Sequence, residues 1–82
     1  MDRAEIFEQL KLLVVKNFRA DPDTISENTS ADDVDGWDSL AHATLIMRIE
    51  KTFNIHLDPL AASEAHNLGA LAEVISESAN RT

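Results

Sequence analysis

Ser39 and His42 are the two residues of this 82-residue chain whose types and spacing bring a nucleophile and a base within reach, because positions three apart share one face of a helix. Such a pair is the beginning of a hydrolase dyad. The rest of that machinery is missing. No Gly-x-Ser-x-Gly elbow frames Ser39, no segment supplies a clear oxyanion hole, and so short a chain has little room to enclose a substrate. No catalytic residue is assigned. His42 also falls in register with Leu45, Ile46, Ile49 and Phe53, which makes it a packed or interfacial histidine. His56 and His66 have no metal-ligand spacing with it and read as ordinary polar residues.

A second chemical possibility is the string Asp32-Asp33-Val34-Asp35-Gly36, in which Gly36 suits position six of a calcium loop and Asp33 and Asp35 suit positions three and five. The ends of the loop refute it. Position one is then Ala31, without a ligating side chain, and position twelve is His42 rather than a bidentate glutamate. No metal site is assigned.

Ser39 itself supports two readings, since serine caps helices often, yet a phosphate ester at a helix start meets unpaired N–H groups and the positive end of the dipole. Location alone does not separate them. Trp37, the only tryptophan, precedes this start and reads as a loop anchor over the core ahead of a partner contact.

The elements that must position these residues follow from the apolar periodicity. From Arg3 to Phe18, Ile6, Leu10, Leu13, Val14 and Phe18 recur at helical spacing, and the helix is expected to end before Asp21-Pro22. From Ala20 to Asp38 the period is lost and Asp, Ser, Thr and Asn dominate, which predicts a long loop anchored by Ile25 and Val34. Within it, Thr24 with Glu27 suits a capped short turn. A loop of this length in a small domain points to a functional role.

The second helix is expected from Asp38 or Ser39, after the turn at Gly36, and to close at Asn54 in a left-handed cap. Ile55 and Leu57 alternate with His56 like a strand, but with no partner strand they form an extended connector. Pro59 opens a short helix through Ala62 or Ala65, and Asn67 caps a last helix with Leu68, Leu71, Ala72 and Ile75 inward, before a tail from Ser78 to Thr82 expected to fray. The prediction is an all-α bundle of three main helices and one short helix, with a long loop between the first two, in one domain spanning residues 1–82. Met1 and a complete first helix read as an independent protein rather than an excised part.

Composition bounds the function further. Hydrophobic residues at 44% and charged residues at 27% are the balance of a folded domain. With no cysteine, disulfides, thiolate zinc sites and thiol nucleophiles are excluded, so any thiol chemistry is imported. Fifteen acids against seven bases give a formal charge of −8, which disfavours nucleic acid and anionic lipid and calls for partners with basic patches. Apolar runs of only a few residues and the lack of a basic, apolar N-terminus argue against membrane insertion or a signal peptide, leaving the cytoplasm as the default.

Gly36-Trp37-Asp38-Ser39-Leu40, followed by Leu45-Ile46 and by Phe53-Asn54-Ile55, resembles the acyl carrier protein family around its phosphopantetheine-bearing Asp-Ser-Leu. The likeness runs almost end to end, through an amphipathic first helix, an acidic loop, the motif opening helix two, a short third helix and a fourth, and implies that family's antiparallel bundle. Asp-Ser-Leu alone is a weak tripeptide. Joined to a Phe-x-Ile beginning fourteen residues after the serine, in an acidic chain without cysteine, it is specific.

The resemblance implies that Ser39 receives 4'-phosphopantetheine from coenzyme A in the active site of a separate phosphopantetheinyl transferase. The arm's thiol then holds an acyl or aminoacyl group as a thioester, supplied by a loading enzyme and passed to downstream biosynthetic enzymes, while the carrier, expected to be a monomer, catalyses nothing. By the same implication Asp38 and Leu40 flank the site and meet partners, with Ala43 and Met47 continuing that face. Fatty-acid carriers keep helix two strongly acidic, whereas Thr44, Arg48 and Lys51 dilute that acid here and leave Glu50 as its only carboxylate after Asp38. Together with Trp37 this resembles specialised stand-alone carriers. The alternative is a helical interaction module that kept the carrier fold and is never modified.

Overall fold

Ile6, Leu10 and Val14 line one side of a helix over Arg3–Phe18 (α1) and are completely buried in a computed structural model that describes residues 2–80. Against them lie Leu45 and Ile49 of α2 (Ser39–Phe53) and Leu68, Leu71, Ala72 and Ile75 of α4 (Leu68–Ala79), and these faces make the core. The short α3 (Pro59–Glu64) contributes Ala62. The architecture is the expected all-α antiparallel bundle of three main helices plus one short one, with no strand among the described residues.

Each helix begins where a short polar side chain meets an orphan amide. Asp2 accepts from the Glu5 N–H at 2.9 Å, Asp38 from Ala41 at 2.8 Å, Asp58 from Leu60 at 3.0 Å and Asn67 from Ala70 at 2.8 Å. Asn54 closes α2 in the left-handed conformation, φ 55°, as its side-chain type allows. Arg19 closes α1 the same way at φ 55°, so the chain leaves the helix there and not under the influence of Pro22, which instead opens a 3₁₀ turn over Pro22–Thr24. The expected pairing of Thr24 with Glu27 is absent. Asp21 caps that turn, and a capping box joins Ser30 to Asp33 at the next 3₁₀ turn, over Ala31–Asp33, where the Ser30 N–H donates to the Asp33 carboxylate at 3.0 Å. At the C-terminus, Ser78 and Ala79 belong to α4 rather than to a frayed tail, while Arg81 and Thr82 lie outside the described residues.

The long loop is stitched to the bundle. Ile25 and Val34 are buried as expected, and Thr29 is the one buried polar residue among those described. Its hydroxyl accepts from the Ser26 N–H at 2.9 Å, and its carbonyl accepts from Leu68 at 2.9 Å. Glu27 accepts from the Gly69 N–H at 2.8 Å, an approach open to glycine because a Cβ there would sit 3.1 Å from the Glu27 carbonyl oxygen. Arg3 completes the junction, donating to Glu73 at 2.7 Å, to Glu27 at 2.7 Å and to the Gly69 carbonyl at 3.0 Å. The Glu73 hydrogen bond raises the Arg3 pKa above its ordinary value, partial burial opposes this, and Glu27 adds to the rise. Because these carboxylates are mostly exposed, the pairs are screened and individually weak. Replacing Arg3 with Met is expected to cost about 1 kcal/mol, seen in thermal denaturation as a fall of about 5 °C in Tm. An unchanged Tm would show that the junction holds without it.

Candidate functional site

The approach to α2 is built by a turn that glycine permits. Gly36 takes φ 84°, the Trp37 amide returns to the Val34 carbonyl at 3.4 Å and the Asp38 amide to the Gly36 carbonyl at 3.1 Å. This delivers Asp38 to the capping position, where its carboxylate takes the Ala41 N–H and its carbonyl the His42 N–H at 2.9 Å. Ser39 is thereby the first helical residue and not the cap, which corrects the capping reading of its hydroxyl. The hydroxyl is exposed and makes no hydrogen bond among the described residues. Leu40 follows it with 78% of its surface in solvent, far more than a core leucine retains.

Trp37 is held from both sides. Its ring stacks on Phe18 at a centroid distance of 4.8 Å and an angle of 16°, and its indole N–H donates to His42 Nδ1 at 3.1 Å. The anchor reading of Trp37 accounts for these contacts, and the half-buried indole finds the acceptor that such a ring requires. His42 is correspondingly engaged by Trp37 and makes no hydrogen bond to Ser39, so the hydrolase dyad is not assembled. An open groove of about 490 Å³ runs beside Ser39, bordered by Ala31, Trp37, Asp38, His42, Ser63 and Ala65. An unbonded hydroxyl opening onto free space at a helix start fits a bulky phosphodiester substituent without displacing any contact.

Along α2 the side chains divide by face. Ala43, Met47, Arg48 and Lys51 are exposed, Met47 by 68%, and a shallow depression of about 570 Å³ gathers Met47, Arg48 and Lys51 with Leu13, Thr44 and Thr52. Glu50 is turned away from this surface. Its carboxylate accepts from the Leu57 N–H at 3.0 Å, securing the extended connector, and lies 3.8 Å from His56. The depression is therefore lined by cations and no carboxylate. Nor do the loop acids converge: Asp21, Asp33 and Asp38 cap turns and Glu27 pairs with Arg3, and no group of three or more potential ligands able to hold a metal occurs among the described residues. His66 is exposed and does not border the groove beside Ser39. The Trp37–His42 hydrogen bond and the inward role of Glu50 escape a reading of periodicity, which ranks a face as polar without saying where a polar tip points.

A family model described as "Phosphopantetheine attachment site" matches residues 8–75. The acyl carrier protein of Caulobacter vibrioides (strain NA1000 / CB15N) is 31% identical over 74 residues, covering 90% of this chain and 95% of that one. That of Phenylobacterium zucineum (strain HLK1) is 30% identical over 74 residues, covering 90% and 94%. The solution structure of the holo acyl carrier protein from Geobacter metallireducens superposes with a TM-score of 0.81 at 29% identity, covering 92% of this chain and 86% of that one. No helix among the described residues is long and apolar enough to cross a membrane. Proteins of this kind carry covalent 4'-phosphopantetheine and are carriers rather than enzymes. With the match running across most of the sequence and the whole helical order, this chain belongs to the acyl carrier protein family.

Proposed function

We propose that Ser39 is the attachment residue, and that the protein holds an acyl or aminoacyl group as a thioester on the arm and delivers it to biosynthetic enzymes. The observation that carries this reading is the exposed Ser39 hydroxyl at the first position of α2, released from capping by Asp38. In the transferase, the Ser39 oxygen attacks the pyrophosphate of coenzyme A. One phosphorus–oxygen bond forms as another breaks, the adenosine bisphosphate leaves, and the hydroxyl proton passes to a base of the transferase. When bound, the arm supplies the thiol that a chain without cysteine lacks. This chain's own residues orient the acceptor: Asp38 fixes the helix start, and Trp37, stacked on Phe18, holds the turn before it. Incubation with coenzyme A and a broad-specificity transferase is expected to add the mass of one phosphopantetheine. A chain left at its original mass under conditions that load a control carrier would favour the unmodified interaction module.

Partner recognition is assigned to Asp38, Leu40, Ala43 and Met47 around the attachment point and to Arg48 and Lys51 further along α2, with Trp37 at the entry. The protein acts as a single-domain monomer in the cytoplasm. Support for a dedicated partner set comes from the charge of α2, whose exposed Arg48 and Lys51 have no ion-pair partner among the described residues while Glu50 faces inward. Partners that expect an acidic helix meet like charges there, which discriminates by up to several kcal/mol. A fatty-acid malonyl transferase is thus expected to load the modified protein poorly, and to load the Arg48→Glu, Lys51→Glu double variant faster by about tenfold. Equal loading rates, with matched circular dichroism, would assign specificity to Trp37 or α3 instead.

A further inference from the structure

His42 is the side chain at this site whose chemistry is not used up by the fold. Its Nδ1 accepts the Trp37 indole N–H, so in the neutral ring the proton must reside on Nε2, which becomes a donor. That Nε2 has no hydrogen-bond partner among the described residues, and since no buried side-chain nitrogen or oxygen among them lacks a partner, it is open to solvent. His42 lies three positions after Ser39, on the same side of α2, and both border the same groove. Of the residues along that groove, His42 alone presents a donor that can also become cationic; the one other ionisable side chain is Asp38, an anion already committed to the Ala41 amide. His42 also borders a small cavity of about 40 Å³ that His66 lines.

Resting on the carrier reading of Ser39, we infer that His42 is a positioning residue for the arm. Its Nε2–H donates to the phosphodiester on Ser39 and directs the arm along the groove toward Ser63 and Ala65. Trp37 is the orienter: by occupying Nδ1 it fixes both the tautomer and the ring plane, which packs at 25° to the indole. Asp38 opposes any anion in the groove, so the phosphodiester gains from turning toward the imidazole. Protonation of His42 adds charge assistance to that hydrogen bond while displacing the Trp37 N–H from Nδ1.

The test uses the whole protein before and after modification, with mass spectrometry first establishing that Ser39 bears the group. The histidine rings are titrated by NMR, and the phosphodiester is followed by its phosphorus resonance over the same pH series. A neighbouring anion favours the imidazolium, so the His42 midpoint is expected to be higher in the modified protein than in the unmodified one by about 0.5 pH unit, a threefold gain in proton affinity. Asp38, His66 and Trp37 are present in both forms, so the difference reports the phosphodiester. The phosphorus resonance should inflect at the His42 midpoint, lose that inflection in His42→Gln and keep it in His66→Gln. Trp37→Phe, which retains a ring over Phe18 but removes the N–H, should mix the His42 tautomers and shrink the shift. Identical His42 midpoints in the two forms, or an inflection that survives His42→Gln, would overturn the inference while leaving a modified Ser39 in place. Failure to modify Ser39 would bring down the carrier reading and this inference together.

Discussion

Ser39→Ala is expected to abolish modification by coenzyme A and a transferase while leaving the melting temperature almost unchanged. The two halves of this expectation come from the same geometry. Because the Ser39 hydroxyl makes no hydrogen bond among the described residues and is exposed, its removal breaks nothing in the fold, and alanine is well tolerated at a first helical position. Stability should change by less than about 0.5 kcal/mol. The oxygen proposed to attack coenzyme A, by contrast, is lost completely, and no other serine stands where Ser39 does. Ser26 bonds within the loop, Ser30 belongs to the capping box, Ser63 donates to the Leu60 carbonyl, Ser76 accepts from Asn80, and Ser78 lies in the last turn of α4 rather than at a helix start.

Asp38→Ala supplies the complementary case. There the side-chain cap on the Ala41 amide is removed while the backbone bond from His42 to the residue 38 carbonyl is kept, and a loss of about 1 kcal/mol is expected, or about 5 °C in Tm. If Ser39→Ala were instead the destabilising change and Asp38→Ala the neutral one, Ser39 would be the cap after all. Retained modification of Ser39→Ala would place the acceptor elsewhere.

Leu45→Ala is expected to lower stability by about 3 kcal/mol, the largest effect anticipated from one substitution in α2. Leu45 is completely buried in the core cluster that α2 shares with α1 and α4, so truncation removes apolar burial and leaves a cavity that a closely packed bundle fills only in part. A folded chain of 82 residues has a total stability of about 4 to 12 kcal/mol, so this one change consumes a large share of it and should lower Tm by about 15 °C. Met47, two positions and about half a turn further along α2 on the opposite, exposed side, provides the control: Met47→Ala should change stability by less than about 0.5 kcal/mol. Chemical denaturation of both variants measures the contrast, and comparable losses would mean that α2 is not oriented with Leu45 inward. The separation matters for the proposed carrier role, because the same helix buries one face firmly while it presents Ser39, Met47, Arg48 and Lys51 on another.

Much of this was legible because it is local. A helical period of 3.6 residues sorts Ile6, Leu10 and Val14 to one side without reference to anything distant, and Asn54 and Asn67 mark helix ends through side chains that act within one turn. Ile25 and Val34 stood out as anchors because a polar loop has no other use for branched apolar residues. Where local signals competed, sequence reasoning chose less well. Thr24 with Glu27 and Ser30 with Asp33 carry the same capping spacing, and the second formed because Glu27 was drawn to Arg3 and Gly69 across the bundle.

The sequence by itself determined the helical order, the buried stripes, the acidic loop and the motif at the start of α2, since each depends on neighbours a few positions apart. The tertiary structure alone decided which polar tips remain free. Arg3 meets Glu73 across 70 positions of sequence, Glu50 folds back on the Leu57 amide, and Trp37 claims one nitrogen of His42 and leaves the other without a hydrogen-bond partner among the described residues. Such pairings are set by how helices pack. A hydrogen bond is satisfied within about 3 Å of space whatever the separation in sequence, and periodicity carries no record of that distance.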